Sequence, residues 1–160
     1  MASTTFSGPV TSTAGFISGS DSLVSVTADV TLTSANYAGR TMNLNVASGA
    51  TVTLPAASGT GNVYRFFVQT TVTSNNYVIQ VASADDTMSG IAVVANDSDN
   101  TASIFETASD SDTITLDGTT KGGILGGHIE IQDDASNVFR VLINQSATGT
   151  EATPFSAAVS

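Results

Sequence analysis

The chain contains no cysteine and no tryptophan, and few of its residues are charged. Without cysteine it can form neither disulfide bonds nor thiolate metal sites, so the compartment cannot be read from its thiols. Charged residues make up 11% of the 160 residues, against roughly 25% in ordinary soluble domains. Serine and threonine fill that gap, which is typical of β-rich proteins that work through contact.

Basic residues are the scarcest of the charged types. The chain has 4 of them against 14 acidic residues, which gives a net charge of −10. Because direct binding to phosphate backbones requires positive charge, we expect no nucleic-acid partner and no anionic membrane surface. The opening residues lack a basic region and an apolar run, so we expect no signal peptide. No apolar run approaches the length of about 18 residues that would span a membrane.

The strongest positive pattern is alternation of apolar and polar residues, which is clearest from residue 23 to residue 33. No window of about a dozen residues shows a helical stripe, and turn signals recur about every 8 to 12 residues. The sequence therefore predicts an all-β fold, namely a single-domain antiparallel β-sandwich, jelly-roll-like fold or barrel with extended terminal arms. We expect an extended N-terminal arm over residues 1–21, a β domain over 22–144 and a C-terminal tail over 145–160.

The stretch Thr51–Ala82 carries much of the predicted core. A strand at residues 51–54 is followed by two segments that alternate, and residues 73–76 between those segments have turn chemistry. We therefore predict a hairpin from the segments on either side of that turn, with the preceding strand laid beside it.

Some predicted strands are apolar on both faces. Phe66 is followed by Phe67, and Leu142 stands between Val141 and Ile143. A sandwich strand needs only one apolar face, so the second face indicates a subunit contact or a place under a loop of the same chain.

The residues offer little for catalysis. His128 is the only histidine, and alternation places it on the same strand face as Glu130, but no nucleophile motif accompanies them. The glycine-rich stretch 122–127 is not followed by the lysine and hydroxyl residue of a phosphate-binding loop. We therefore expect no catalytic residue and no cofactor. Paired carboxylates for glycan cleavage stay an alternative, although the aromatic sugar platforms that usually accompany them are few here.

Two acidic turns could hold a hard cation, since their oxygen ligands recur at alternating positions. Neither turn has the glycine and distal glutamate of an EF-hand loop, and aspartate is an ordinary turn former. We expect solvated turns and no metal, with a calcium-dependent or carbohydrate-binding module as an open alternative. The residues concerned are Asp97, Asp99, Asp110 and Asp112.

Both ends of the chain space large apolar residues among small ones, too sparsely to form a core alone. Burying one phenylalanine stabilises by about 1.5–3 kcal/mol, so several anchors would offset part of the entropy lost on ordering an arm. We predict that the N-terminal arm contacts a partner; the alternative is that both arms fold back over their own domain. The candidate partner-binding residues are Phe6, Pro9, Val10, Phe16, Ile17 and Phe155.

Several short patterns resemble those of small capsid decoration, or cement, proteins of tailed phages; they lie at residues 4–10, 13–16, 52–55, 59–61, 119–123, 148–150 and 153–155. The resemblance implies a non-enzymatic virion protein that is made in the host cytoplasm. It further implies a homotrimer that binds the major capsid protein on the outside of the shell. Tail-fibre and head-fibre proteins, which use similar strands rich in threonine, glycine and asparagine, are the alternative.

Overall fold

A computed structural model describes Ser7 and residues 23–159 of the chain. The described chain is mostly β, as predicted, and contains twelve strands and one short helix. In chain order the elements are β1 (Leu23–Val26), β2 (Val30–Thr31), α1 (Ser34–Tyr37), β3 (Thr41–Leu44), β4 (Ala50–Thr53), β5 (Val63–Val68), β6 (Tyr77–Gln80), β7 (Thr87–Ala95), β8 (Ala102–Glu106), β9 (Thr113–Leu116), β10 (His128–Ala135), β11 (Val138–Ser146) and β12 (Phe155–Ser156).

The strands form two mixed sheets that contribute to one hydrophobic core. Sheet A has seven strands in the order β1-β3-β5-β10-β11-β7-β8, and sheet B has five in the order β12-β9-β6-β4-β2. Neither described sheet closes into a barrel, because each ends on two different edge strands. Alternation sends one face of every strand inward, and the largest fully buried side chains come from both sheets; they include Tyr64, Phe66, Phe139, Tyr77, Ile79 and Ile114.

Parallel pairing is the main departure from the predicted antiparallel fold. Strands β1, β3 and β5 are parallel neighbours in sheet A, and β2, β4 and β6 are parallel neighbours in sheet B. Two parallel strands cannot be joined by a tight turn, because the chain must first return to the starting end of the sheet. This chain returns by adding a strand to the opposite sheet, so it makes three successive turns around the core.

The hairpin predicted within residues 51–82 is therefore wrong. Strand β5 pairs with β3 and β10 in sheet A, whereas β6 pairs with β4 and β9 in sheet B. The polar residues 73–76 form the crossing between sheets. Residues 73–76 are typical of a turn, as predicted, but they join a strand of sheet A to a strand of sheet B.

The second half of the chain completes both sheets mainly with antiparallel pairs. β9 lies antiparallel to β6, and β10 lies antiparallel to β5 and to β11. The β10–β11 connection is a true hairpin whose turn contains Asn137 with a φ of 62°, a conformation that asparagine tolerates better than most residues. β7 then runs parallel to β11, and β8 forms the far edge.

The C-terminal residues belong to the domain and do not form the separate tail predicted over residues 145–160. β11 continues to Ser146, and Phe155 pairs with Ile114 of β9. The Asp112 carboxylate, which is buried, accepts hydrogen bonds from the backbone N–H groups of Ala158 (2.8 Å) and Val159 (3.2 Å). Within the described residues, no helix has the length and apolar character needed to cross a membrane.

Two glycines with similar backbone conformation test whether the close approach of Gly118 to Val72 constrains the fold. Gly118 has a φ of 78°, and a Cβ at this position would overlap the carbonyl oxygen of Val72. Gly39 has a nearly equal φ of 74°, but a Cβ there would meet no atom within 4 Å. We expect Gly39→Ala to cost about 1–2 kcal/mol for its left-handed backbone. We expect Gly118→Ala to cost about 1–3 kcal/mol more, because backbone must move to relieve the overlap.

Urea unfolding of both variants beside the wild type measures this difference. Equal losses of unfolding free energy in the two variants would show that the Gly118–Val72 approach does not constrain the fold.

Candidate interaction surface

The outer face of sheet A, meaning the outward side chains of its strands, carries most of the exposed large apolar residues. Leu142 is 43% exposed and Ile104 is 65% exposed, although the neighbours of Leu142 along β11 are buried. Of the six exposed large apolar residues among the described ones, five are at outward positions of sheet A, and Leu125 lies in the glycine-rich loop before β10. The five are Leu23, Phe67, Ile91, Ile104 and Leu142.

Strand register arranges these side chains in two rows across the sheet. The first row carries charge at β5 and β10 and becomes apolar at β11 and β7; it reads Arg65, Glu130, Leu142, Ile91 and Glu106. The second row begins with an aromatic residue and ends with aliphatic ones; it reads Phe67, His128, Asn144, Val93 and Ile104. The apolar part of the face is therefore continuous across β11, β7 and β8.

A shallow groove of about 340 Å³ opens in this face beside Leu142. Gly90 forms part of it, and this position cannot carry a side chain because a Cβ would overlap the carbonyl oxygen of Val141 on the paired strand. The other lining residues are Ile91, Glu130, Gln132, Arg140, Val141 and Leu142. Gly90 and Val141 stand at inward positions of their strands, so their backbone lines the groove between outward side chains of β10, β11 and β7.

Two ion pairs on this face join charges of the same chain. The Arg65 Nε donates to the Glu130 Oε2 at 2.9 Å across β5 and β10, and both side chains are 40% exposed. Arg140 pairs with Asp134 at 2.6 Å near the β10–β11 turn. Exposed pairs of this kind contribute about 0–1 kcal/mol to stability. These two pairs also place half of the chain's four basic residues on one face, although the net charge of the chain is −10.

His128 and Glu130 share the outer face of β10, as the alternation predicted. The hydrogen-bond partner of Glu130 is Arg65, on the neighbouring strand. Phe67 lies directly across from His128 in the register of β5 and β10. The imidazole is therefore part of a mixed apolar and polar surface.

Two carboxylates of the acidic turns, those of Asp99 and Asp112, accept hydrogen bonds. Asp99 accepts from the hydroxyl and the backbone N–H of Thr101, and these bonds lower the pKa of the exposed Asp99 carboxyl. Asp112 accepts from the C-terminal backbone, as described above. Among the residues that the structure describes, no three histidine or carboxylate side chains lie close enough together to hold a metal ion.

Asp133 is a structural feature that the sequence does not reveal, because it stands in a run that is typical of a solvated turn. The residue is 3% exposed. It accepts hydrogen bonds from the backbone N–H groups of Ser58 (2.8 Å), Gly59 (2.7 Å) and Thr60 (3.1 Å), and also from the Thr60 hydroxyl. Burial alone would raise the pKa of Asp133, but these hydrogen bonds outweigh it and lower the pKa below its usual value.

This carboxylate fixes β10 to the loop that precedes β5. Asp133 points inward and sits one residue from Gln132, which lines the groove on the opposite side of the strand. Because three successive N–H groups converge on one carboxylate, the end of β10 has little freedom to shift. The position of the outward residues of β10 therefore depends on a buried charge beneath them.

Of the predicted partner-binding residues, the structure describes only Phe155. Phe155 is 7% exposed and belongs to the core cluster, so its ring packs within its own chain. A ring buried in this way presents little surface to a partner, which argues against the predicted partner-binding role of Phe155. The others lie outside the described residues, and their role stays a prediction; they are Phe6, Pro9, Val10, Phe16 and Ile17.

The Asp133 site gives a prediction with a matched neighbour. Asp133→Asn should lower the unfolding free energy by at least about 2 kcal/mol at pH 7, because an amide leaves buried N–H donors without an acceptor. Asp134→Asn removes only the exposed pair with Arg140 and should cost less than about 1 kcal/mol. Urea unfolding of the two variants measures both losses.

The same pair predicts a pH dependence. The pKa of Asp133 is lowered in the folded chain, so its contribution is fully present above the unfolded pKa of about 3.9. That contribution is lost as the pH falls through the folded value. The stability gap between wild type and Asp133→Asn should therefore narrow in strongly acidic solution. A gap that stayed constant from pH 7 to about pH 2 would contradict the role assigned to the ionised carboxylate.

Comparison with known proteins adds no family to this description. No protein-family model, curated protein or solved structure matches the chain. The interaction surface is therefore interpreted from its own geometry and from the sequence patterns.

Proposed function

We propose that the chain is a non-enzymatic structural protein of a phage virion that decorates the outside of the capsid. In this proposal it acts as a homotrimer and binds the shell formed by the major capsid protein. The observation that supports it best is the outer face of sheet A, which has exposed apolar side chains, a groove and little net charge on a strongly acidic chain. Such a face is suited to contact with another folded surface.

The use of polar groups in the described residues also supports a structural role. The buried carboxylates of Asp133 and Asp112 are occupied by backbone N–H groups, and Asp86 accepts from the backbone N–H of Ala57 at 3.2 Å. These groups hold loops and the C-terminus in place. A protein that must survive on the outside of a particle benefits from such fixed connections.

We further propose that the two sheets form a sandwich and that residues 1–21 make the contact with the shell. β1 begins at Leu23 on the edge of sheet A, so the preceding segment starts from that edge. Its large apolar residues would act as plugs in a partner surface, as the sequence predicts for Phe6 and Phe16. Because the C-terminus is packed into the domain, the N-terminal segment is the stronger candidate for the anchor.

A fibre component is the second candidate, and the parallel turns of β1 to β6 favour it. Each turn adds one strand to sheet A and one strand to sheet B. Elongated β-solenoids are built by stacking such turns. The antiparallel strands β9 and β10 interrupt this stacking after three turns, which favours a compact decoration protein.

Binding to particles tests the proposal. Purified wild-type chain should co-sediment with tailed-phage heads that lack it, whereas a chain without residues 2–19 should remain folded and lose at least about tenfold in occupancy. Phe6→Ser with Phe16→Ser should reproduce most of that loss. The matched control, Thr5→Ser with Thr13→Ser, should bind as the wild type does.

Two results would overturn parts of this account. Failure of the wild-type chain to bind any head preparation would remove capsid decoration. Undiminished binding by the shortened chain would keep decoration and move the anchor to another surface.

A further inference from the structure

We propose that the outer face of sheet A is the surface on which a second copy of this chain docks. The inference rests on the proposed function, to which it adds the location of the subunit contact. The exposed apolar residues, the charge balance, the size of the face and the shape of the groove each bear on the identity of the occupant.

The size of the face matches a stable contact between folded chains. The seven strands of sheet A contain 45 residues, and each residue covers about 16 Å² of a sheet whose strands lie about 4.8 Å apart. The face therefore covers about 730 Å², which is close to the roughly 800 Å² that each partner contributes to a standard protein–protein interface. The continuous apolar part over β11, β7 and β8 lies within this area.

The low charge of the face is compatible with another copy of the chain as the occupant. The outward strand positions of sheet A carry Arg65 and Arg140 against Glu130, Asp134 and Glu106, which leaves a net charge of −1 on a chain whose net charge is −10. Exposed charges farther apart than about 8 Å are largely screened at physiological ionic strength, so the local charge decides how two copies repel. Two acidic chains can therefore approach each other through this face with little repulsion.

The ion pair in the face is already satisfied. Arg65 donates to Glu130 within the chain, so the occupant has no need to supply a compensating charge. A strongly basic partner would be expected to choose the acidic loops instead. A surface with exposed apolar side chains and little net charge is the better match, and the outer face of sheet A is itself such a surface.

The face also offers both halves of a contact. A groove lies beside Leu142, and Ile104 protrudes at 65% exposure on the edge strand β8. An apolar side chain from one copy can thus enter the depression of another. Both features are fixed by strand pairing, which reduces the ordering cost of association.

Analytical ultracentrifugation of the purified full chain tests the inference. At about 50 µM the wild type should sediment as a multiple of the 16.1 kDa chain, and Leu142→Asp should weaken association at least about tenfold. The matched control is Leu125→Asp, which changes an exposed leucine outside the strands of sheet A and should assemble as the wild type does. Circular dichroism of each variant checks that the fold is kept.

A second variant covers the case in which Leu142→Asp does not fold. Ile104→Asp alters a more exposed side chain on an edge strand and should also weaken association. Wild-type association should strengthen between about 20 mM and about 500 mM salt, because screening reduces repulsion between acidic chains while the neutral contact persists.

A wild type that stays at the mass of one chain up to about 100 µM overturns the inference. So does assembly by folded Leu142→Asp and Ile104→Asp at the wild-type level. Neither result depends on particles, so failure of this contact can be told apart from failure of capsid binding. A chain that assembles but does not bind heads would retain the contact and remove the decoration role.

Discussion

Parallel pairing within the first six strands is the constraint on which the rest of the structure depends. Because β1, β3 and β5 run in the same direction, the chain must cross to sheet B between them, and it deposits β2, β4 and β6 there. Both sheets contribute buried residues to one hydrophobic core. Each sheet also has an outer face. In sheet A the strands β10, β11, β7 and β8 extend that face to seven strands, against five in sheet B.

The properties of this surface follow from features on both sides of the sheet. On the inner side, the Asp133 carboxylate ties the end of β10 to the loop before β5 through backbone hydrogen bonds. Between β7 and β11, Gly90 permits a backbone approach that no side chain would allow, and outward residues of both strands border the groove. On the outer side, Arg65 and Glu130 neutralise each other. Rigidity, shape and charge balance thus arise from separate interactions, and together they suit the face for contact.

Part of this could be predicted from sequence, because alternation reports which residues share a face. It correctly indicated strands and an apolar outer surface at Phe67 and Leu142, both of which are exposed. Alternation does not report which strand lies next to which. It therefore does not predict the parallel pairs, and it wrongly predicts a hairpin from the segments that form β5 and β6. Burial of Asp133 was missed because its donors lie more than 70 residues away in the chain. Phe155 was misplaced for the same reason, since its strand partner is in β9.

We propose that this chain acts by assembly, with copies in contact through the outer face of sheet A on the outside of a capsid. Electron cryo-microscopy of the particle that carries the chain tests it most directly. The account predicts copies clustered on the exterior of the shell, with Leu142 and Ile91 of each copy covered by a neighbouring copy. Copies that stand singly with this face in solvent, or a chain located away from the head, would contradict it.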